Sequence, residues 1–510
     1  MSVARTRAVA LLGVDGALVE IEADMGAGLP AFVIIGLPDT SLGEARDRVR
    51  SAATNSGCAL PARKLTVNLS PASLPKQGSS FDLGIAIAAL AAAEIVPADS
   101  VEHVVHFGEL GLDGRLRPVD GVLPAVLGAR RAGASIVMVP TDNADEASLV
   151  PGVRVVAVPS LREAAIWHGA SLESEPVEAI TRSRSAPPHA PDELDLADVL
   201  GNVDAVESLV VAAAGGHHLL MVGPPGAGKS MLAARLPGLL PDLDADSALE
   251  VASIRSLAGV AVTGDLDRRP PFEAPHHTCS AAALVGGGSG VIRPGAASRA
   301  TRGVLFLDEA PEFQQSVLDC LRQPLESGET VVHRSRAVAR FPARFQLVAA
   351  ANPCPCGQYG SRDSDCSCSP HQRRRYLGKL SGPLVDRIDL QLRVARISSS
   401  QFRASSDTLS TTTRQARDRV DRARGHAARR LDGTPWRLSG EMPGTWLRDP
   451  ENRLAVVDSQ PADRALETGA LTMRGYDRVL RVAWTLADLD DEPAPVRRHV
   501  VRALSMRQSL

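Results

Sequence analysis

The chain has 510 residues, of which 44% are hydrophobic, 23% are charged and 3% are aromatic, and its formal net charge is −3. This length is too great for one compact core, so two to four domains are expected. The near-neutral charge excludes recognition of a polyanion by global electrostatics, so a nucleic acid would have to be held by local basic patches. No run of 18 apolar residues is present, and no transmembrane helix is predicted.

The first apolar run, AVALLGV, follows Arg5 and Arg7 and is too short for the apolar region of a secretion signal. Together with an odd number of cysteines, seven, this predicts a reducing, cytoplasmic location. In that compartment, clustered cysteines bind a metal more often than they pair with each other.

An α/β domain is predicted over residues 1–171, because short alternating or apolar runs predict strands and longer apolar runs predict helices. The predicted strands are KLTVNLSP, HVVHFGELG, SIVMVP and VRVVAVPS, and the predicted helices are FDLGIAIAALAAAEI and PAVLGARRAG, the second ending at Gly133. Residues 172–194 lose this periodicity and gain proline, serine and charge, which predicts a linker.

A second α/β domain is predicted over residues 195–395 and a mainly helical domain over residues 396–510. The helical spacing of the latter is clearest in TRQARDRVDRARGHAARRL and YDRVLRVAWTLADL. The arginines of the first of these helices could face a nucleic acid. A solvated face, interspersed with Asp418 and Asp421, is the interpretation that the overall neutrality favours.

The segment HLLMVGPPGAGKSMLAARL predicts a strand, a glycine-rich turn and a helix, and its turn fits the phosphate-loop pattern G-x-x-x-x-G-K-[ST]. In such a loop the backbone N–H groups and the helix N-terminus face a phosphate. The lysine adds a mobile cation for the β and γ phosphates, and the serine hydroxyl binds Mg²⁺. The predicted ATP-binding residues are Gly223, Pro224, Pro225, Gly226, Ala227, Gly228, Lys229, Ser230 and Asp308.

Two further strand ends carry polar side chains that suit ATP hydrolysis. The run GVLFLDEAPEF places Asp308 and Glu309 after a buried strand, where Asp308 suits Mg²⁺ and Glu309 suits the general base for the attacking water. The run FQLVAAANPCP ends a third strand at Asn352, a neutral side chain that could hold that water near the γ-phosphate. The predicted Mg²⁺ ligands are therefore Ser230 and Asp308.

Four of the seven cysteines lie within NPCPCGQYGSRDSDCSCSP, which begins at Asn352. Their spacing is C-x-C, nine residues, C-x-C, and four thiolates on a short loop can surround one tetrahedral Zn²⁺. Reduced free thiols and a redox pair remain as alternatives. The predicted zinc ligands are Cys354, Cys356, Cys366 and Cys368.

Long motifs resemble the magnesium chelatase-like branch of AAA+ ATPases, and within it the YifB/ComM family. They include APHHTCSAAALVGGGS, RPGAASRATRGVLFLDEAPEF, FPARFQLVAAANPCPCG, LSGPLVDRIDL and, near the N-terminus, KLTVNLSPASLPKQGSSFDLGIAIAAL. The resemblance implies a P-loop AAA+ core with a helical lid, preceded by a Lon-protease-like (ribosomal S5 domain 2-like) α/β domain. It also implies a homohexameric ring, assembled with ATP or DNA, in which ATP is bound between subunits.

In such a ring Arg387 of PLVDRIDL matches the arginine finger that reaches the neighbour's γ-phosphate, and Arg474 of LTMRGYDRVL matches the second sensor arginine of the lid. Because Arg387 lies between Asp386 and Asp389, a local ion pair is the alternative. The chain has Trp484 where the family usually has an arginine, which removes the family's assignment at that position.

The resemblance also implies two insertions in the ATPase core. One interrupts the second helix around SLAGVAVTGDLDRRPPFEAPHHT, and the other, GETVVHRSRAVARF, forms a β-hairpin that grips DNA in related motors. Arg334 and Arg336, with His333 beside them, would contact DNA phosphates without reading sequence. A solvent-exposed hairpin decorated with arginine is the alternative.

The expected function is an ATP-dependent DNA motor of the branch-migration or helicase type, acting on single-stranded or branched DNA. A magnesium-chelatase-type ATPase subunit and an ATP-gated scaffold are the alternatives. In the first domain, Ser80 can be aligned with the Lon nucleophile, but Ala125 stands where its lysine partner is expected. A serine without a base is a poor nucleophile, so proteolysis is not expected.

Overall fold

The computed structural model describes residues 3–36, 43–76, 78–182, 194–262, 264–288, 292–334, 338–360, 366–397 and 411–507. Within these residues no helix is long and apolar enough to cross a membrane.

The first part of the chain is built on a seven-stranded mixed sheet with the order β3-β4-β2-β1-β5-β8-β9. Its strands and those of a small hairpin are β1 (Ala4–Leu12), β2 (Asp15–Gly26), β3 (Ala31–Ile35), β4 (Lys64–Ser70), β5 (Val104–His106), β6 (Glu109–Leu110), β7 (Leu116–Arg117), β8 (Ile136–Pro140) and β9 (Arg154–Val158). Strand β2 pairs antiparallel with β1 and β4, and the other neighbouring strands of the large sheet run parallel.

The four predicted strands of this part are present, but HVVHFGELG forms two strands rather than one. The chain leaves the large sheet after β5 because the backbone of Gly108 bonds elsewhere: its N–H donates to Ser80, and its carbonyl accepts from Leu83. The chain then continues into the β6–β7 hairpin.

Among the residues that the structure describes, six helices accompany this sheet. They are α1 (Ala45–Asn55), α2 (Asp82–Ala92), α3 (Ala98–Val101), α4 (Val122–Arg131), α5 (Ala144–Ser148) and α6 (Leu161–Trp167). Both predicted helices are confirmed as α2 and α4. Every residue of α2 is buried, which explains why its sequence is apolar around the whole helix rather than along one stripe.

The second part of the chain contains a five-stranded sheet, β11-β12-β15-β10-β16, in which all neighbouring strands run parallel. Its strands, and the hairpin β13–β14, are β10 (Leu219–Val222), β11 (Phe272–Glu273), β12 (Val304–Leu307), β13 (Glu329–His333), β14 (Val338–Pro342), β15 (Gln346–Ala351) and β16 (Leu390–Arg393). Parallel pairing brings the carboxyl ends of the five strands to one edge of the sheet, where α/β proteins bind ligands.

The remaining helices surround this sheet and form the C-terminal part. They are α7 (Val203–Gly215), α8 (Lys229–Leu239), α9 (Ala245–Leu257), α10 (Ala281–Val285), α11 (Ala296–Arg299), α12 (Gln315–Asp319), α13 (Arg322–Ser327), α14 (Pro370–Leu377), α15 (Gly382–Val385), α16 (Thr413–Arg430), α17 (Gly444–Leu447), α18 (Val456–Glu467), α19 (Met473–Leu489) and α20 (Arg497–Ser505). The two predicted C-terminal helices are confirmed as α16 and α19.

The arginines of α16 differ from the predicted solvated face, because several of them bind the part of the chain that contains the five-stranded sheet. Arg419 makes two hydrogen bonds to Glu207 of α7, at 2.8 and 3.0 Å, and Arg424 donates to the carbonyl of Ala213. These contacts come from residues more than 200 positions away, so the pattern of charges within the helix could not show them. The arginines attach the C-terminal helices to the core.

The predicted helix-2 insertion also lies elsewhere. The quoted run SLAGVAVTGDLDRRPPFEAPHHT begins within α9 and contains strand β11, so it leads into the sheet rather than interrupting a helix. The chain that separates two short helices is the following one, between α10 and α11, where Gly287 and Arg293 form an antiparallel bridge.

The first part of the chain packs against the hairpin β13–β14. Buried Phe341 of the hairpin lies in one apolar cluster with Leu257 of α9, and Leu11 and Val14 of the β1–β2 turn pack against that cluster. Beside it, Asp120 accepts a hydrogen bond from Arg293 at 3.2 Å. The hairpin is therefore anchored on both α9 and the first part of the chain.

Candidate nucleotide-binding site

The phosphate loop lies at the carboxyl edge of the five-stranded sheet, between β10 and α8. Gly226 and Gly228 have φ angles of +75° and +88°, a left-handed conformation that disfavours residues with a Cβ atom. Lys229 is the first residue of α8, so the loop joins directly to a helix N-terminus, as an anion site requires. The structure thus gives the predicted loop its expected strand and helix.

Lys229 connects the phosphate loop with the third predicted strand end. Its ammonium donates to the carbonyls of Gly223 and Pro224 at 2.7 and 3.0 Å and to Oδ1 of Asn352 at 3.2 Å. Burial lowers the pKa of Lys229, and the nearby carboxylates of the next strand end oppose this shift. The side chain is therefore held by neutral acceptors that a phosphate could replace.

The two predicted Mg²⁺ ligands are in direct contact, because the Ser230 hydroxyl donates to Oδ2 of Asp308 at 2.8 Å. Hydroxyl and carboxylate oxygens are the ligand types that Mg²⁺ prefers, so this pair fits the ion. A cavity of about 310 Å³ is lined by the phosphate loop, Asp308, Glu309 and Asn352. The side chains predicted at three separate strand ends therefore line one cavity.

Glu309 has a neighbour that the sequence did not reveal. Nδ1 of His277 lies 3.6 Å from Oε2 of Glu309, and Glu309 itself has a left-handed φ of +50°. The contact arises because β11 and β12 pair in parallel, so both strands end at the same edge of the sheet and the residues that follow them lie close together. His277 and Glu309 are far apart in the sequence. The pair of histidines, HH, after a short strand is the one local signal of this contact.

Arg387 and Arg474 line a second cavity, of about 840 Å³, at the opposite, amino edge of the same sheet. Arg387 precedes β16, and β16 runs parallel to β10, which precedes the phosphate loop. A four-residue strand spans about 10 Å, so the sheet separates both arginines from the phosphate loop of their own chain.

The ion pair considered for Arg387 exists, but with a different partner. Its guanidinium contacts Glu326 at 2.7 Å and donates to the carbonyl of Pro383 at 2.8 Å. Asp389 is instead engaged by Arg478 at 2.6 Å. Burial raises the pKa of Asp389, but Arg478 and the neighbouring histidines outweigh burial and hold it well below the ordinary value.

Trp484, the residue that departs from the family pattern, is a packing residue. It is buried in a cluster of the C-terminal helices, with Trp446 edge-on at 5.7 Å and the Arg430 guanidinium 4.5 Å from its ring centre. Arg430 is in turn paired with Asp488. Position 484 therefore belongs to the apolar core of the C-terminal helices.

The predicted hairpin is formed by β13 and β14, which pair antiparallel from Glu329↔Pro342 to His333↔Val338. Arg334 and His333 are exposed at its tip, and Arg334 donates to the carbonyl of Gly288. Arg336 lies outside the described residues.

The four clustered cysteines lie together shortly after β15 and Asn352. The sulfur atoms of Cys354 and Cys356 are 3.3 Å apart, and the sulfur of Cys366 lies 3.7 and 3.6 Å from them. With Cys368 included, the four sulfur atoms all lie within 4.8 Å of one another. The backbone N–H of Gln358, with the adjacent thiols, lowers the pKa of Cys356 to about 6. Four soft donors at this separation fit one tetrahedral Zn²⁺.

The residues aligned with the Lon nucleophile and its partner are not joined by a hydrogen bond among the described residues. Ala125 is buried in an apolar cluster of α4. Lys76, the lysine nearest in sequence to Ser80, is buried, and its ammonium donates to three backbone carbonyls, including those of Gly36 and Leu69 at 3.0 Å.

The parallel sheet, with the phosphate loop, the acidic pair and the polar third strand end around one cavity, has the arrangement of an AAA+-like ATPase. Family comparisons match successive parts of the chain: "Magnesium chelatase, subunit ChlI" over 195–402, "Subunit ChlI of Mg-chelatase" over 21–143 and "Magnesium chelatase, subunit ChlI C-terminal" over 410–507.

Several relatives match over nearly their whole length, among them the uncharacterized protein Rv2897c of Mycobacterium tuberculosis, which is 50% identical over 511 residues, covering 100% of this chain and 99% of that protein. Competence protein ComM of Haemophilus influenzae is 40% identical over 507 residues, which cover 99% of this chain and 98% of that protein. The uncharacterized protein YifB of Escherichia coli is 40% identical over 514 residues, covering 99% and 97%. The magnesium-chelatase 38 kDa subunit of Rhodobacter capsulatus is 31% identical over 171 residues, covering only 30% of this chain and 49% of that protein. The chain belongs to the YifB/ComM family of magnesium chelatase-like proteins.

Proposed function

We propose that the protein is a hexameric, ATP-driven DNA motor of the branch-migration or helicase type, acting on single-stranded or branched DNA during recombination. The observation that carries this proposal is the continuity of hairpin and ATP site. Strand β14 leads through three residues into β15, and β15 is followed directly by Asn352, which is hydrogen-bonded to Lys229. A force on the exposed hairpin would therefore be transmitted along one strand to the phosphate loop.

ATP and Mg²⁺ would be held by the predicted residues. Backbone N–H groups of the loop and Lys229 would bind the phosphates, and Ser230 and Asp308 would hold the ion, which supplies charge neutralisation at the transferred phosphoryl group. Glu309 would orient and deprotonate the attacking water, with Asn352 beside it. Arg387 and Arg474, at the opposite edge of the sheet, would complete the site of a neighbouring subunit, which supports a ring.

The domain organisation proposed is a Lon-like first domain over residues 1–171, a linker over 172–194, the AAA+ core over 195–395 and a helical lid over 396–510. The first domain would serve as a rigid collar, since it packs against the base of the hairpin through Leu11 and Val14. Its Ser80 region would not act as a protease, because buried Ala125 stands where the lysine partner is expected and cannot activate the serine.

A chelatase motor subunit is the second candidate, favoured by the descriptions of the matching families. The named chelatase subunit covers less than a third of this chain, whereas ComM covers nearly all of it. This difference favours the DNA motor over the chelatase.

Arg334→Ala is expected to weaken DNA binding and to reduce DNA-stimulated ATP turnover, because it removes a phosphate contact at the hairpin tip. The slope of log affinity against log salt should fall by about 0.7 to 0.9 for the lost contact. Steady-state ATPase assays with duplex, forked and single-stranded DNA, together with fluorescence anisotropy over a salt series, measure both effects.

Arg340→Ala is the matched control, since this arginine of the same hairpin is already paired with Glu329 at 2.7 Å. Turnover that no DNA stimulates, in a preparation whose activity Glu309→Gln removes, would contradict the motor and favour the chelatase or an ATP-gated scaffold.

We further propose that the cysteine cluster holds a structural zinc ion. The purified protein is expected to contain about one equivalent of zinc, and Cys356→Ser should lose most of it because tetrahedral sites need all four ligands. Cys320→Ser, outside the cluster, should retain it. Elemental analysis by mass spectrometry, with thiol titration, measures this, and less than a tenth of an equivalent with four titratable thiols would end the idea.

A further inference from the structure

We propose that single-stranded DNA binds to an exposed face beside the cysteine cluster. This face, here termed the arginine face, is formed by Tyr359, Arg373, Arg374 and Arg375. Bases would stack on the tyrosine, and the guanidinium groups would contact the backbone phosphates. The inference rests on the proposed function, since it assigns to the same motor a second contact with its DNA.

The geometry of helix α14 turns its charges outwards. A capping box between Ser369 and Gln372 fixes the start of the helix. Tyr376 is buried, and Arg374, two positions earlier, lies about 200° around the helix and so on the opposite side. Arg374 and Arg375 are exposed accordingly, and Arg373 is partly covered.

The arginines of α14 differ from those of α16, another arginine-rich helix, in what they contact. Arginines of α16 bind carboxylates or carbonyls of the core, as Arg419 and Arg424 do. Within the described part of the chain, none of the three consecutive arginines of α14 forms an ion pair. Three adjacent guanidinium groups without an ionic partner form a local basic patch, and a polyanion is the partner that three such groups in a row fit best.

Tyr359 indicates that the polyanion is a single strand. Its side chain is 51% exposed, and the Arg373 guanidinium lies 3.8 Å from its ring centre on one side. An exposed ring backed by arginine is a stacking platform for an unpaired base, whereas the bases of a duplex already stack on each other. Aromatic residues make up only 3% of the chain, so an exposed tyrosine among arginines is a rare combination in this protein.

The cysteine cluster joins the two halves of this face to the ATP site. Cys354 and Cys356 precede Tyr359, Cys366 and Cys368 precede α14, and contacts between their sulfur atoms hold the halves together. On its inner side, Gly357 lies so close to the phosphate loop that an added Cβ would come within 2.7 Å of Pro225. DNA bound to the arginine face would therefore be connected to the phosphate loop through the cysteine cluster and Gly357.

The test compares Arg374→Ala/Arg375→Ala and Tyr359→Ala with Arg130→Ala/Arg131→Ala, a matched pair of adjacent exposed arginines at the end of α4. Fluorescence anisotropy of the full, zinc-loaded protein is measured with labelled oligodeoxythymidylate and with a blunt duplex, in the presence of a non-hydrolysable ATP analogue. Zinc content and circular dichroism show that each variant is folded.

Tyr359→Ala should weaken binding of the single strand by about fivefold or more, and Tyr359→Phe should restore it. The double arginine variant should lower the salt slope for the single strand by about 1.4, from 0.7 for each phosphate contact. Affinity for the duplex should change less than affinity for the single strand, and the α4 pair should change neither.

If the wild-type protein binds no DNA, the proposed function fails. If it binds DNA and Arg334→Ala weakens binding while the arginine-face variants bind the single strand as well as wild type, the proposed function stands and this inference alone is wrong. Loss of hexamers in light scattering, with single-strand affinity unchanged, would show that the face is a subunit contact and would also overturn it.

Discussion

Replacing Glu309 by glutamine is expected to leave ATP binding intact and to slow hydrolysis by about 10²- to 10⁴-fold, the contribution of a general base. The amide keeps the shape of the side chain and its place beside His277 but cannot accept the water's proton. Lys229, Ser230 and Asp308, which would hold the nucleotide and its Mg²⁺, are unaltered. A fluorescent ATP analogue measures binding, and phosphate release measures turnover.

A second consequence is that the Glu309→Gln protein should accumulate as an ATP-bound ring, since assembly would depend on ATP and disassembly on its hydrolysis. Size-exclusion chromatography with light scattering would show this. Lys229→Ala should show neither ATP binding nor ring assembly, because it removes the ammonium group that would bind the phosphates. Glu312→Gln, in the same turn but away from the cavity lining, is the matched control and should behave like wild type. Equal turnover in Glu309→Gln and wild type would remove Glu309 from the chemistry.

Arg387→Ala is expected to bind ATP normally and to lose about 10³-fold or more in turnover, the range for an arginine finger. The physical reason is its position: it lies at the amino edge of the sheet, away from its own phosphate loop but available to a neighbour. Mixing Arg387→Ala with Lys229→Ala should restore part of the activity, because some interfaces then combine an intact loop with an intact finger.

Glu326→Gln separates this role from a purely local ion pair. Glu326 is the residue that Arg387 contacts at 2.7 Å within the chain. If Arg387 acts on a neighbour's phosphate, loss of Glu326 should leave turnover largely intact. If Arg387 only stabilises its own subunit, Glu326→Gln and Arg387→Ala should lower thermal stability alike, and the mixture should not recover activity. Thermal melts and ATPase assays on the same samples distinguish the two.

Much of the secondary structure could be predicted because its signals are local. Strands β4, β8, β9, β10, β12 and β15 and helices α2, α4, α8, α16 and α19 follow apolar runs or helical spacing that are read within one window of sequence. The phosphate loop is equally local, since eight consecutive residues carry both its backbone turn and its lysine. The cysteine cluster was visible for the same reason, with all four residues inside nineteen.

Interpretations failed where the deciding partner lies far away. The aspartates within α16 predict a solvated face for its arginines, yet Arg419 is satisfied by Glu207 of α7. Similarly, the flanking aspartates were the obvious partners for Arg387, but Arg478 occupies Asp389 and leaves Arg387 to Glu326. Competition among charges is settled by three-dimensional distance, which sequence separation does not measure.

The secondary-structure elements, the phosphate loop and the family resemblance can be predicted from sequence, because they rest on contiguous residues and their spacing. Which strand ends meet depends on the tertiary structure, since parallel pairing of β11 with β12 brings His277 to Glu309, and pairing of β10 with β15 brings Lys229 to Asn352. It also placed Arg387 and the phosphate loop at opposite edges of one sheet. The direction of a strand within a sheet is set by long-range pairing and core packing, and no local pattern of residues encodes it.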